Sequence, residues 1–190
     1  MAQSQIITLR IDVAELLMGF SPKMAGQYMA LSGAAKGLQG TELTVTVDIS
    51  GTGYSFVIKN GQDFQVSQGV LENPMVFLKI ALQDIEKLAQ LKHADMLFAM
   101  QESLTRQKYD VLKRIKGTAT FALQHEDGSE TPIVVTFNGG NSPKAILRLS
   151  MENAKTLVSK KENPVQMFMA GKLRIEGDLG FAMSTQPLFT

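Results

Sequence analysis

The stretch Leu43-Thr44-Val45-Thr46-Val47-Asp48-Ile49-Ser50 alternates strictly, with an apolar residue at every odd position and a polar one at every even position. Successive side chains of a strand point to opposite faces, so this period of two predicts a half-buried strand with one wet face. The pattern continues on both sides of a turn at Gly51-Thr52-Gly53. Tyr54 to Lys59 reads as a second strand. Asn60-Gly61, the strongest short hairpin signal, leads into a third strand over Phe64 to Val70. After Glu72-Asn73-Pro74 the run Met75 to Leu82 reads as a fourth strand. From Asp84 to about Ile115 the period becomes helical, as two helices broken near Lys92-His93.

Strand signals return at Thr118 to Leu123, Ile133 to Phe137 and Ala145 to Leu149, with turns at Asp127-Gly128 and Asn138-Gly139-Gly140. Asn153 to Val158 is helical, Asn163-Pro164 starts a short helix, Leu173 to Ile175 is a strand, and Leu179 to Ser184 is a short helix or turn. Upstream of the first strand, residues 11–37 read as two helical stretches. Asp12 with Glu15 caps one, and Ser21-Pro22 separates it from the other. The fold class expected is α+β: a mixed, mainly antiparallel sheet with helices packed on one face.

Pro74 to Gln90 aligns without gaps over Pro143 to Ser159, with the apolar pattern matching over most of the window. Strands precede each window, and each unit begins near a Gly-Thr pair, Gly40-Thr41 and Gly117-Thr118. The expectation is one domain over residues 1–190, built as a pseudo-repeat of 40–115 and 117–186 whose strands merge into one sheet.

Composition narrows the function. The chain of 190 residues is 44% hydrophobic and 19% charged, with a net charge of +1, which offers no global field for nucleic acid. With no cysteine, disulfides, thiol catalysis and thiolate metal sites are excluded. His93 and His125 are the only histidines and lack neighbours at ligand spacing, so no metal site is expected. No serine lies in a nucleophile-elbow context, so no catalytic residue is named. The apolar runs are too short to span a bilayer, and residues 1–8 lack the form of a signal peptide, so a cytoplasmic protein is expected.

Arg106, Lys108, Lys113, Arg114 and Lys116 make one predicted helix locally basic. Such a run is a solvated face or, for Arg106, Lys113, Arg114 and Lys116, a candidate docking surface for an anionic membrane. Tyr109 is its only aromatic, which argues against nucleic acid. Met occurs 11 times against no Trp, and Met fills adaptable apolar space, either core or cavity.

Gly171-Lys172-Leu173-Arg174-Ile175-Glu176-Gly177-Asp178-Leu179-Gly180-Phe181-Ala182-Met183 resembles the closing signature of the sterol carrier protein 2 family, a strand running into a short apolar helix. Asn163 to Ala170 resembles the short helix before it, Tyr54 to Gly61 the aromatic-led hairpin strand, and Pro74 to Leu88 the strand-into-helix step. The chain departs from the family in length, with roughly residues 91–145 placed between the first strand–helix unit and the closing signature. The resemblance implies non-catalytic binding and transfer of a fatty acid, acyl-CoA, sterol or isoprenoid in an apolar tunnel, with no cofactor. Lining residues would come from Phe98, Met100, Met167, Phe168, Phe181 and Met183. The alternative is a protein–protein interaction module whose core is filled.

Overall fold

The computed structural model describes residues 12, 14–20, 23, 34–88 and 104–190. Eight strands form one sheet: β1 (Glu42–Ile49), β2 (Thr52–Lys59), β3 (Asp63–Gln68), β4 (Val76–Ile80), β5 (Gly117–Gln124), β6 (Glu130–Phe137), β7 (Lys144–Ser150) and β8 (Leu173–Gly177). Helix α1 (Leu82–Leu88) follows β4, and α2 (Arg106–Arg114) precedes β5. Helices α3 (Met151–Val158) and α4 (Pro164–Met169) lie between β7 and β8. Helix α5 (Leu179–Ser184) and a closing 3-10 turn (Gln186–Phe189) follow β8.

The spatial order is β3-β2-β1-β4-β6-β5-β7-β8. The neighbours β1–β4 and β5–β7 run parallel; every other pair is antiparallel. The sheet is therefore mixed and mainly antiparallel, and the protein is α+β. The same pairing occurs twice in the sheet. A first strand takes its hairpin partner on one side and a parallel strand on the other, β2-β1-β4 and then β6-β5-β7. They join where β4 meets β6, from Val76 opposite Phe137 to Lys79 opposite Val134.

Alternation decides which side the helices take. On β5, β6, β7 and β8 the buried set Ala119, Leu123, Val135, Phe137, Ala145, Leu147, Leu149 and Leu173 falls on one face. Against it α3 presents Met151, Ala154 and Leu157, α4 presents Met167, and α5 presents Phe181 and Ala182. Each of these helices is capped by the residue before it. Ser150 Oγ accepts from the Asn153 N–H, Asn163 forms a capping box with Gln166, and Asp178 Oδ1 accepts from the Phe181 N–H at 2.7 Å.

The opposite face is polar, but at β1 it is not wet. Thr46 and Ser55 are buried, with their hydroxyls 3.0 Å apart. Ser55 Oγ donates to the Gly69 carbonyl at 2.8 Å, and the Leu71 and Met75 N–H groups donate to the hydroxyls of Thr46 and Thr44. The β3–β4 connection lies over this face, so small hydroxyls replace water there. Further along, Arg148 on β7 bridges Glu130 on β6 and Glu176 on β8.

Other differences from expectation are local. Helix α1 begins at Leu82 rather than Asp84; the Asp84 carboxylate is buried and accepts from Thr131 Oγ1 at 3.1 Å. Asp12 does cap the first helical turn, accepting from the Glu15 N–H at 3.0 Å, and that turn is a π-helix over Glu15–Phe20. The break near Lys92-His93 and most of the 11–37 helical segment lie outside the described residues.

One close approach pins the start of β5. Gly117 has φ +145°, and a Cβ there would sit 2.6 Å from the Phe181 ring and 2.7 Å from the Pro143 carbonyl oxygen. The Phe181 ring also meets Phe137 edge-on, with centroids 6.4 Å apart. Gly117→Ala is expected to lower stability by about 2 kcal/mol or more, read as a fall in the urea midpoint at unchanged slope.

Candidate functional site

Helices α3 and α5 and the closing turn meet β7 and β8 around a small apolar cavity. Leu147, Leu173 and Ile175 form its floor, Leu157 and Pro164 one wall, and Met183, Gln186 and Phe189 the other. Its volume is about 10 Å³, room for one water-sized sphere. It is a seam between packed elements rather than an open tunnel. The closing turn is anchored by Phe189, whose ring meets Phe121 edge-on at 5.5 Å.

Of the residues expected to line a lipid site, Met183 reaches this cavity. Met167 is fully buried in the core, Phe181 packs on Phe137 and Gly117, and Phe168 is half-buried without lining the cavity. Phe98 and Met100 lie outside the described residues. Leu157 and Phe189 were not anticipated. Leu157 carried a signal in its helical spacing from Met151 and Ala154; Phe189 carried none, since its strand partner is distant in sequence.

The basic helix α2 divides in two. Arg106 pairs with Asp110 at 3.3 Å and donates to the Gln39 carbonyl, and Arg114 Nε donates to the Asp110 carbonyl at 3.0 Å. Lys113 and Lys116 are exposed. Lys108, by contrast, is 5% exposed, which corrects the reading of this run as a solvated face. It shares a helix face with Leu112 and Ile115, four and seven positions on, a spacing that places it inward. Its Nζ is buried without a hydrogen-bond partner among the described residues. Burial, and then repulsion from Lys160, lower its pKa from 10.5 to about 8.

Helix α2 is held at both ends. Thr105 Oγ1 accepts from the Lys108 N–H at 3.3 Å, and Asn138 Nδ2 donates to the carbonyls of Leu112 and Ile115 at 2.8 and 2.6 Å. The helix packs against the closing turn Gln186–Phe189.

His125 is half-buried, with Nε2 2.8 Å from Thr131 Oγ1, which in turn donates to Asp84. This is a chain of polar partners tying the β5–β6 turn to α1. Among the described residues no group of three or more acidic, His or Cys side chains converges as metal ligands, and no helix is long and apolar enough to cross a membrane.

A buried ammonium without an acceptor opposes folding. Lys108→Met is therefore expected to raise stability by about 1–2 kcal/mol. Because the unfolded state binds the Lys108 proton more tightly, the wild-type fold gains stability as pH rises from about 8 to 10.5, and this gain is absent in the variant. Urea unfolding of both proteins across that window measures it.

Comparison with known proteins bears on the same region. No curated protein sequence matches the chain. Among solved structures, a sterol carrier protein domain 2 of Helicoverpa armigera is 28% identical, with TM-score 0.37, covering 50% of this chain and 83% of that one. Sterol carrier protein 2 of Yarrowia lipolytica in its apo form is 25% identical, with TM-score 0.32, over 42% and 76%. Sterol carrier protein 2 like 2 of Aedes aegypti is 18% identical, with TM-score 0.35, over 50% and 96%. The family match covers the residues that build β5 to β8, α2 to α5 and the apolar seam: residues 100–190 of this chain match the model of the SCP-2 sterol transfer family.

Proposed function

We propose that the chain binds a hydrophobic lipid without chemistry, a fatty acid, acyl-CoA, sterol or isoprenoid, and carries or presents it in the cytoplasm. The observation that carries this reading is the apolar seam between β7–β8, α3 and the closing turn, lying wholly within the segment that matches the SCP-2 sterol transfer family. Each ligand CH₂ buried contributes about 0.8 kcal/mol, so a long chain supplies the free energy to part a seam. Met183, with three rotatable bonds, and the terminal turn holding Phe189 are the parts that can yield. The reading takes residues 1–190 as one domain, with the first strand unit extending the sheet of the second. It also takes Lys113 and Lys116 as the contacts to an anionic membrane at delivery, each worth on the order of 1 kcal/mol.

A second reading, an interaction module with a filled core, is favoured by the small cavity volume and by exposed Met169, Val165 and Leu179 around α4 and α5. Mass spectrometry of the purified protein, native and then solvent-extracted, separates the two. A stoichiometric lipid is expected; an apo mass that persists after incubation with acyl-CoA, fatty acids and isoprenoids would support the filled core. Met183→Trp is expected to weaken fatty-acid binding by about tenfold or more with circular dichroism unchanged, measured by displacement of a fluorescent fatty acid.

A further inference from the structure

Lys108 is a packing anomaly. Leucine or methionine would satisfy the face it shares with Leu112 and Ile115, whereas an ammonium buried there must surrender its hydration. Nothing in the described residues compensates it. Among the described residues, Asp110, two positions from Lys108, pairs with Arg106, and Glu162, two positions from Lys160, pairs with Lys172. The charge that does face Lys108 is a second cation, Lys160, which repels it. A buried and unpartnered ammonium, with a second cation near enough to repel it, forms a site of the wrong sign for itself and of the right sign for an anion.

The location ties this pair to the seam. Lys108 stands on α2, which packs against the closing turn that supplies Gln186 and Phe189 to the cavity. Lys160 follows α3, its N–H donating to the carbonyl of Leu157, which lines the same cavity. An amphiphile with its chain between β7–β8 and α3 would bring its polar end out beside the closing turn. We propose that Lys108, with Lys160 beside it, receives the anionic group of the ligand, a carboxylate or a phosphate. This rests on the lipid-binding reading for the chain portion of the ligand, while the anion site stands on the two lysines alone.

The test compares palmitate with palmityl alcohol, which shares its chain but not its charge, and inorganic phosphate, which has charge but no chain. Titration calorimetry on wild type, Lys108→Met, Lys108→Arg and Lys160→Gln reads the first two. The Lys108 side-chain NMR resonance reads the third. Lys108→Met is expected to weaken palmitate by about tenfold or more while leaving palmityl alcohol unchanged, with Lys108→Arg recovering part of the loss and Lys160→Gln showing a smaller one. Binding of palmityl alcohol by the variant shows that it is folded. If Lys108→Met binds palmitate as wild type does, the proposal falls and the lipid reading stands. If wild type takes neither chain yet millimolar phosphate moves the Lys108 resonance, the anion site stands with a free anion as its ligand and the lipid reading falls. If neither chain nor phosphate acts on wild type, both fall.

Discussion

A sheet whose strands alternate strictly has one apolar face, and that face must be covered. The rest of the architecture follows from this one-sided demand. Helices α3, α4 and α5 are short, and none would be stable alone, yet each brings apolar residues, Met151 and Leu157, Met167, and Phe181, to the same side of β5–β8. Their starts are fixed by caps at Ser150, Asn163 and Asp178, so their register on the sheet is set locally before packing completes it. The Gly117–Phe181 contact shows how tightly the cover fits, since even one added methyl carbon would collide.

The same demand bears on the joint of β4 and β6. Strands β1 and β5 each lie between a hairpin partner and a parallel partner, and without that joint β4 and β6 would each carry a free edge. Joining β4 to β6 removes both free edges and merges two apolar faces into one core, in which Ile80 and Val135 take part together. The apolar seam lies away from that joint, where the covering elements are short.

Much of this was legible in the sequence because it is written in local periodicity. All eight strands fall where alternation or an apolar run between turn residues put them, and the caps of α4 and of the first helical turn were visible in Asn163-Pro164 and in Asp12 with Glu15. What escaped depends on contacts between distant parts of the chain. The burial of Thr46 arises from a connection some two dozen residues on, and Phe189 at the seam meets Phe121 on β5, far away in sequence. Lys108 is the instructive case. Residue type assigned it to a solvated face, while its spacing from Leu112 and Ile115 pointed inward, and spacing prevailed.

The outermost strands have a consequence for association. β3 and β8 are short, and their outward residues are Asp63, Gln65 and Ser67 at one edge and Arg174 and Glu176 at the other, all exposed. Charge and brevity at both margins discourage another chain from adding a strand, the route by which open sheets polymerise. Among the described residues, both margins of the sheet thus disfavour extension of the backbone ladder by a further strand.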